Sequence, residues 1–268
     1  MQEYKMPIRP ENSNKGTFGK VLNFAGCDNY IGAAYLSSLS ALKTGAGLVA
    51  LSSVNSVIDS VSKLLPEAVY LSRENAFNEI DKYTVYLIGC GFGLSKNSVN
   101  DFKKIFKLLK NTTKPIVIDA DGLNILSTNK IELPQNIIIT PHPMEAARLL
   151  RTEINDVLNN TEDSAKMLSQ KYNAVTVLKN HRTIITNGND IYINEHGNSA
   201  LAKAGTGDVL AGIISGLLAQ NCSLLEASKL GVYLHSRAGE LASEELTEYS
   251  VLATDVIRFL PKAINEII

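Results

Sequence analysis

The sequence has no long hydrophobic run, no excess of charge of either sign and few cysteines, and each absence removes a class of function. Its longest apolar stretch, Val209 to Ala219, spans about 11 residues and contains Gly212 and Gly216. That is roughly half of what a membrane-spanning helix requires. The net charge is -1, with no block of like charges, so long-range attraction to nucleic acid or to an anionic membrane has no support. Any anion site must be local. The three cysteines, Cys27, Cys90 and Cys222, form an odd, widely spaced set, which reads as free thiols in a reducing compartment and predicts a cytoplasmic protein. Among them and the four histidines there is no CxxC, HxxxH or HExxH, so no protein-bound metal is expected. The stretch Met1 to Pro10 carries charges and no apolar core, which predicts no signal peptide.

What is present is the composition of a globular protein, with 45% hydrophobic and 20% charged residues over 268 positions. A core of that size buries most of the surface of its unfolded chain. Short β-branched runs alternate with helical stretches. Strands are expected at Val21 to Phe24, Leu48 to Leu51, Val85 to Ile88, Ile116 to Ile118, Ile137 to Thr140 and Val175 to Leu178. Helices are expected at Gly32 to Thr44, Val99 to Lys110 and Ser164 to Lys171. Apolar, non-alternating strands separated by helices indicate a mostly parallel sheet covered on both faces. Thr183 to Thr186 and Ile191 to Asn194, joined by Asn187-Gly188-Asn189, read as a hairpin. Helices close the chain at Asp208 to Leu218, Leu224 to Leu241 and Thr254 to Leu260, with Thr254 as the cap of the last and Pro261 as its end or kink. No repeat, linker or low-complexity tract divides the sequence, so one domain over 1–268 is expected. Its ligands should meet the carboxyl ends of the strands.

The strongest local signal is Gly205-Thr206-Gly207-Asp208 before an apolar helical run. Glycines there let the backbone turn sharply and leave amide N–H groups open. Together with the positive end of the helix dipole, those groups make an anion site. Asp208 falls in the first helical turn; the plain alternative is that it only caps the helix. The sequence is neither a Walker loop nor the dinucleotide-binding glycine fingerprint. In Thr140-Pro141-His142-Pro143-Met144-Glu145, two prolines fix where His142 points, as a substrate contact or as a solvated side chain on a stiff connection. Lys179-Asn180-His181-Arg182-Thr183 could neutralise phosphates or form an exposed basic turn. Asp119-Ala120-Asp121 ends a buried strand, where capping or support is favoured over direct magnesium binding. The Gly89-Cys90-Gly91-Phe92-Gly93 turn allows close backbone approach to a ligand, with no catalytic role read for Cys90. His196 and His235 are assigned nothing.

Taken in order, these segments, with Gly32-Ala33-Ala34 through Gly45-Ala46-Gly47 and the tail from Tyr233 to Asp255, resemble the ADP/ATP-dependent NAD(P)H-hydrate dehydratases over nearly the whole chain. The resemblance implies a ribokinase-like fold, a three-layer αβα sandwich on a mostly parallel sheet. It implies that Ala33, Gly91, His142 and Asp208 meet the hydrated nicotinamide substrate. It also implies that Lys179, Asn180, His181, Arg182, Thr183 and Gly207 meet ADP or ATP, which enters with Mg²⁺. In that reading Asp208 is the base, and Gly205, Thr206 and Gly207 form an anion hole. Homo-oligomers, tetramers among them, and a separate or absent epimerase partner are further implications. Asn180, Met144 and Cys27 depart from the family pattern. The rival readings are a vitamin-precursor kinase of the same fold and a nucleotide sensor without turnover.

Overall fold

A computed structural model describes residues 4–268, so the first three residues of the Met1 to Pro10 stretch lie outside it. Among the described residues, nine strands form one sheet: β1 (Lys20–Phe24), β2 (Leu48–Ser53), β3 (Val69–Ser72), β4 (Val85–Ile88), β5 (Ile116–Ile118), β6 (Ile137–Ile139), β7 (Ala174–Leu178), β8 (Ile184–Thr186) and β9 (Ile191–Ile193). Their spatial order is β3-β2-β1-β4-β5-β6-β7-β8-β9. All pairs from β3 to β7 are parallel, and β8 and β9 add an antiparallel hairpin at one edge. The expected sheet and hairpin are both present.

The helices are α1 (Ile31–Thr44), α2 (Asn55–Val61), α3 (Arg73–Asn78), α4 (Lys96–Leu108), α5 (Asp121–Thr128), α6 (Pro143–Leu150), α7 (Ile154–Asn159), α8 (Thr161–Tyr172), α9 (Thr206–Ala219), α10 (Leu224–Leu246) and α11 (Ala253–Asn265). Two apolar cores flank the sheet. One joins it to α1, α2, α9, α10 and α11, the other to α3 through α8. Strands such as β1, β4 and β7 are buried almost end to end, because helices cover both faces of a parallel sheet.

Helix α9 is apolar nearly all round and almost wholly buried, which makes it a core helix. Its partner α1 turns small residues inward: Ala34, Ser37, Ser38, Ser40, Ala41 and Thr44 are buried. A side chain at Gly212 would overlap Ser40 and the Ser37 carbonyl, and one at Gly216 would lie 2.7 Å from the Ala41 carbonyl. The two helices therefore pack backbone against backbone. Asn23 of β1 donates to Ser37 Oγ at 2.8 Å and to Ser38 Oγ at 3.0 Å, tying α1 to the sheet.

The last helix departs from expectation. It begins at Ala253, and Asp255 rather than Thr254 accepts from its amino end, through the Leu252 N–H at 2.9 Å. Pro261 lies inside it. The ring forfeits one helical hydrogen bond, yet Phe259, Leu260 and Ala263 are buried on either side of it and carry the helix to Asn265. Elements α2, β3 and α3 fall in a stretch where the sequence pattern showed none.

Strand winding reverses between β1 and β4, since β1 leads to β2 and β3 on one side and β4 onward lies on the other. Such a switch point opens a crevice at the carboxyl ends of the strands. Across it, the Gly26 N–H donates to the Cys90 carbonyl at 2.9 Å.

Candidate functional site

The loops after β4, β5, β6 and β7 converge on the amino end of α9. Gly205 caps that helix in the left-handed region, φ 91° and ψ -17°, where a side chain would be strained and would meet Leu36 Cδ1 at 2.6 Å. The N–H groups of Gly207 and Asp208 belong to the first turn, which has no intrahelical acceptors for them. Thr206 Oγ1 turns away, to the carbonyls of Leu201 and Lys203 at 2.8 Å each, so its hydroxyl braces the turn. His235 of α10 is buried, and its Nε2 has no hydrogen-bond partner among the described residues. Burial lowers its pKa to about 4, keeping the imidazole neutral. The sequence offered no sign of this burial, because an apolar helix face hides a single imidazole.

Beside the turn stand three more side chains. Lys179 Nζ lies 2.7 Å from Asp119 Oδ1, and Asp119 is only 1% exposed. A Cβ at Gly207 would be 3.3 Å from Lys179 Nζ and 3.9 Å from Asp119 Oδ2, so the ion pair abuts the α9 amino end. The Cys90 sulfur and one carboxylate oxygen each from Asp119 and Asp208 lie within 4.8 Å of one another. Burial would depress the Lys179 ammonium, but the carboxylates of Asp119, Glu145 and Asp208 outweigh that and hold it above the usual lysine range. Asp208 moves the other way. Burial first, then the like charge of Asp119, pushes it up to about 7, against opposing pulls from the Cys90 thiol and Lys179.

Backbone geometry aims these groups. Ala120 adopts φ 48° and ψ -119°, a strained conformation for a residue with a side chain. It separates Asp119, which faces Lys179, from Asp121, whose Oδ2 accepts from the Gly93 N–H at 2.7 Å. Gly89 is forced by close packing: a Cβ there would overlap the Asp119 carbonyl, and φ is 123°. Gly91, at φ 58°, sits where a Cβ would lie 2.7 Å from Ala33 and 2.6 Å from Tyr30. Ala33 and Gly91 are thus adjacent across the crevice.

His142 caps α6. Its Nδ1 accepts from the Met144 N–H at 3.1 Å and the Glu145 N–H at 3.4 Å, while its own N–H donates to Glu145 Oε2 at 2.9 Å. The side chain stays 46% exposed, so capping and solvent access coexist. Burial alone would raise the Glu145 carboxyl; His142 and Lys179 hold it below the usual range. The Pro141 carbonyl accepts from the Lys179 N–H at 2.8 Å, joining the loops after β6 and β7.

The Lys179 to Thr183 stretch divides. Lys179 turns to Asp119, whereas Asn180, His181 and Arg182 line a cleft of about 620 Å³ against residues 159–163. Thr183 Oγ1 lies 3.4 Å from the Asn180 carbonyl. Among the described residues, Cys90, Asp119 and Asp208 come closest to a metal-ligand set. Magnesium prefers hard oxygen donors, and here one ligand is a thiol while Asp119 is already neutralised by Lys179. The donor set does not make a resident magnesium cage.

Residues 21–262 match the model of the NAD(P)H-hydrate dehydratase family. The chain belongs to that family. The ADP-dependent (S)-NAD(P)H-hydrate dehydratase of Neisseria meningitidis is 37% identical, covering 88% of this chain and 81% of its own. The crystal structure of the ADP/ATP-dependent NAD(P)H-hydrate dehydratase of Bacillus subtilis, co-crystallised with ATP/Mg²⁺, superposes with a TM-score of 0.88 at 31% identity, over 98% of this chain and 95% of that one. A ribokinase-like superfamily protein from Enterococcus faecalis gives a TM-score of 0.89 at 30% identity, over 98% and 92%. The expected ribokinase-like αβα fold is therefore the fold observed. The chain spans about half the length of the bifunctional NAD(P)H-hydrate repair enzymes it also matches. No helix among the described residues is long and apolar enough to cross a membrane.

Proposed function

We propose that this protein dehydrates the S-epimer of NAD(P)H hydrate back to NAD(P)H, with ADP or ATP as the co-substrate. One observation carries the reading: a half-buried carboxyl, Asp208, stands on the first turn of α9 beside open backbone donors, poised at about 7. A general base works best when it titrates near the operating pH. The family membership and the relatives named above supply the substrate class.

The added hydroxyl at C6 of the nicotinamide ring leaves poorly as hydroxide. Asp208 takes its proton while the oxygen attacks the terminal phosphoryl group of the nucleotide. ADP then departs as AMP, or ATP as ADP. The Gly207 and Asp208 N–H groups, with Lys179 alongside, hold the charge that gathers on the phosphoryl oxygens, the main task in this class of transfer. The ring nitrogen expels phosphate from C6, C5 loses a proton, and the dihydropyridine returns. Ala33, Gly91 and His142 border the hydrate, and Asn180, His181 and Arg182 border the nucleotide. Mg²⁺ arrives on the nucleotide's own phosphates.

The test is to incubate the purified protein with (S)-NADH hydrate, ADP or ATP, and Mg²⁺, and to follow the dihydronicotinamide absorbance. Absorbance growth that depends on the nucleotide is expected, and Asp208→Asn should lose about 10²-fold or more in turnover while still binding ADP. Phosphate transfer to another alcohol without that growth would make the protein a kinase of the same fold. Nucleotide binding without either reaction would make it a sensor.

A further inference from the structure

Cys90 is fully buried, yet it lies on a turn rather than in a packed helix or strand. Its position is tightly determined. Gly89 and Gly91, at φ 123° and 58°, flank it, and its carbonyl is held by the Gly26 N–H at 2.9 Å. This fixed backbone places the sulfur within 4.8 Å of carboxylate oxygens of both Asp119 and Asp208. Asp119 is already engaged by Lys179 at 2.7 Å. Among the described residues, no cation forms such a pair with Asp208.

We infer that Cys90 is a positioning residue: its thiol donates a hydrogen bond to the Asp208 carboxylate, favouring its charged form and fixing its orientation. This rests on Asp208 being the base in the reaction proposed above. A thiol is a weak donor, but it donates only while protonated, and the site keeps it so. Burial, then the neighbouring charges of Asp208 and Asp119, holds the Cys90 thiol far above its usual range. Lys179 also favours the ionised form of Asp208, but as a cation already held by Asp119. The titratable groups that face it are Cys90 after β4, Asp119 at the end of β5, Asp121 at the start of α5 and Lys179 after β7. Both aspartates raise it. Lys179 is shared with Asp119 and Glu145. From the helical layer, His235 is kept neutral by burial. Among the described residues that face Asp208, Cys90 is therefore the uncharged side-chain donor that favours the ionised base without adding a cation where the phosphoryl group must settle.

The inference is tested in two ways. In the ligand-free protein, the infrared S–H band of Cys90 is isolated as the difference between wild type and Cys90→Ala. It should lie below the wavenumber of a free thiol and rise in Asp208→Asn. A band that is the same in wild type and Asp208→Asn overturns the contact, whatever reaction the enzyme performs. In the dehydration assay, Cys90→Ala should move the acid limb of the kcat–pH profile upward by about one pH unit, equivalent to about tenfold less rate below the limb. Cys90→Ser, which restores a donor, should bring the limb back. A purely structural cysteine would lower Tm in both variants and leave the limb where wild type has it, and that outcome would refute the proposal. If wild type has no dehydratase activity, the reaction reading fails, and the infrared measurement still decides the contact.

Discussion

Replacing Asp208 with asparagine should make the protein more stable while disabling it. The carboxyl is raised from 3.8 to about 7 in the folded state, chiefly by burial and by the charge of Asp119. A raised carboxylate means that the folded state binds a proton more tightly than the unfolded chain does. The stabilisation from that proton is complete below pH 3.8 and is lost as pH rises through about 7. Above 7 the folded protein carries an ionised carboxylate that would be better solvated in the unfolded chain. A rise of a little over three pH units corresponds to about 4 kcal/mol. Asp208 keeps some contact with solvent, which reduces the expected effect to about 2–4 kcal/mol. Asparagine removes the charge and keeps the shape. Urea unfolding of both proteins at pH 4, 6 and 8 measures the difference. The variant's advantage should be small at pH 4 and grow to its full size by pH 8. Equal stability at every pH, or a variant weaker than wild type at pH 8, would show that Asp208 is not held ionised against a burial cost.

Lys179→Met should behave oppositely, because it strands Asp119, which is 1% exposed. Removing one partner of a buried pair costs about 3–5 kcal/mol. Adding Asp119→Asn should recover most of that in thermal or urea unfolding without restoring activity. Gly212→Ala should cost about 1–3 kcal/mol by overpacking, since its Cβ would overlap Ser40 and the Ser37 carbonyl; an unchanged Tm would contradict the close approach of α1 and α9. The wild-type rate should fall as pH drops below about 7, where Asp208 takes up a proton, and a flat profile from pH 5 to 8 would remove it as the base.

Much of the architecture was legible in advance because burial on both faces of a parallel strand demands a continuous apolar run. Val21 to Phe24, Val85 to Ile88 and Val175 to Leu178 show that run directly. The turn at Gly205 to Asp208 was legible for a similar reason: only glycine tolerates φ 91° at Gly205 without strain. Pro261 does not end the last helix, because the burial of Phe259, Leu260 and Ala263 around it carries the chain on to Asn265. Residues 55–78 were unreadable because their elements are short and half exposed, so neither helical nor strand periodicity accumulates.

By itself, the order of apolar runs and glycine turns determined the layered fold, marked His142 and the Lys179 stretch as residues at strand ends, and put Asp208 in the first turn of a helix. The tertiary structure alone decided their partners. Asp119 and Lys179 are 60 positions apart, and no spacing rule pairs them. Burial sets the charge state of Asp208, and burial is a property of everything packed around it. The same holds for Cys90, an unremarkable letter in a glycine-rich turn until the crevice between β1 and β4 brings its sulfur to a carboxylate carried by the ninth helix.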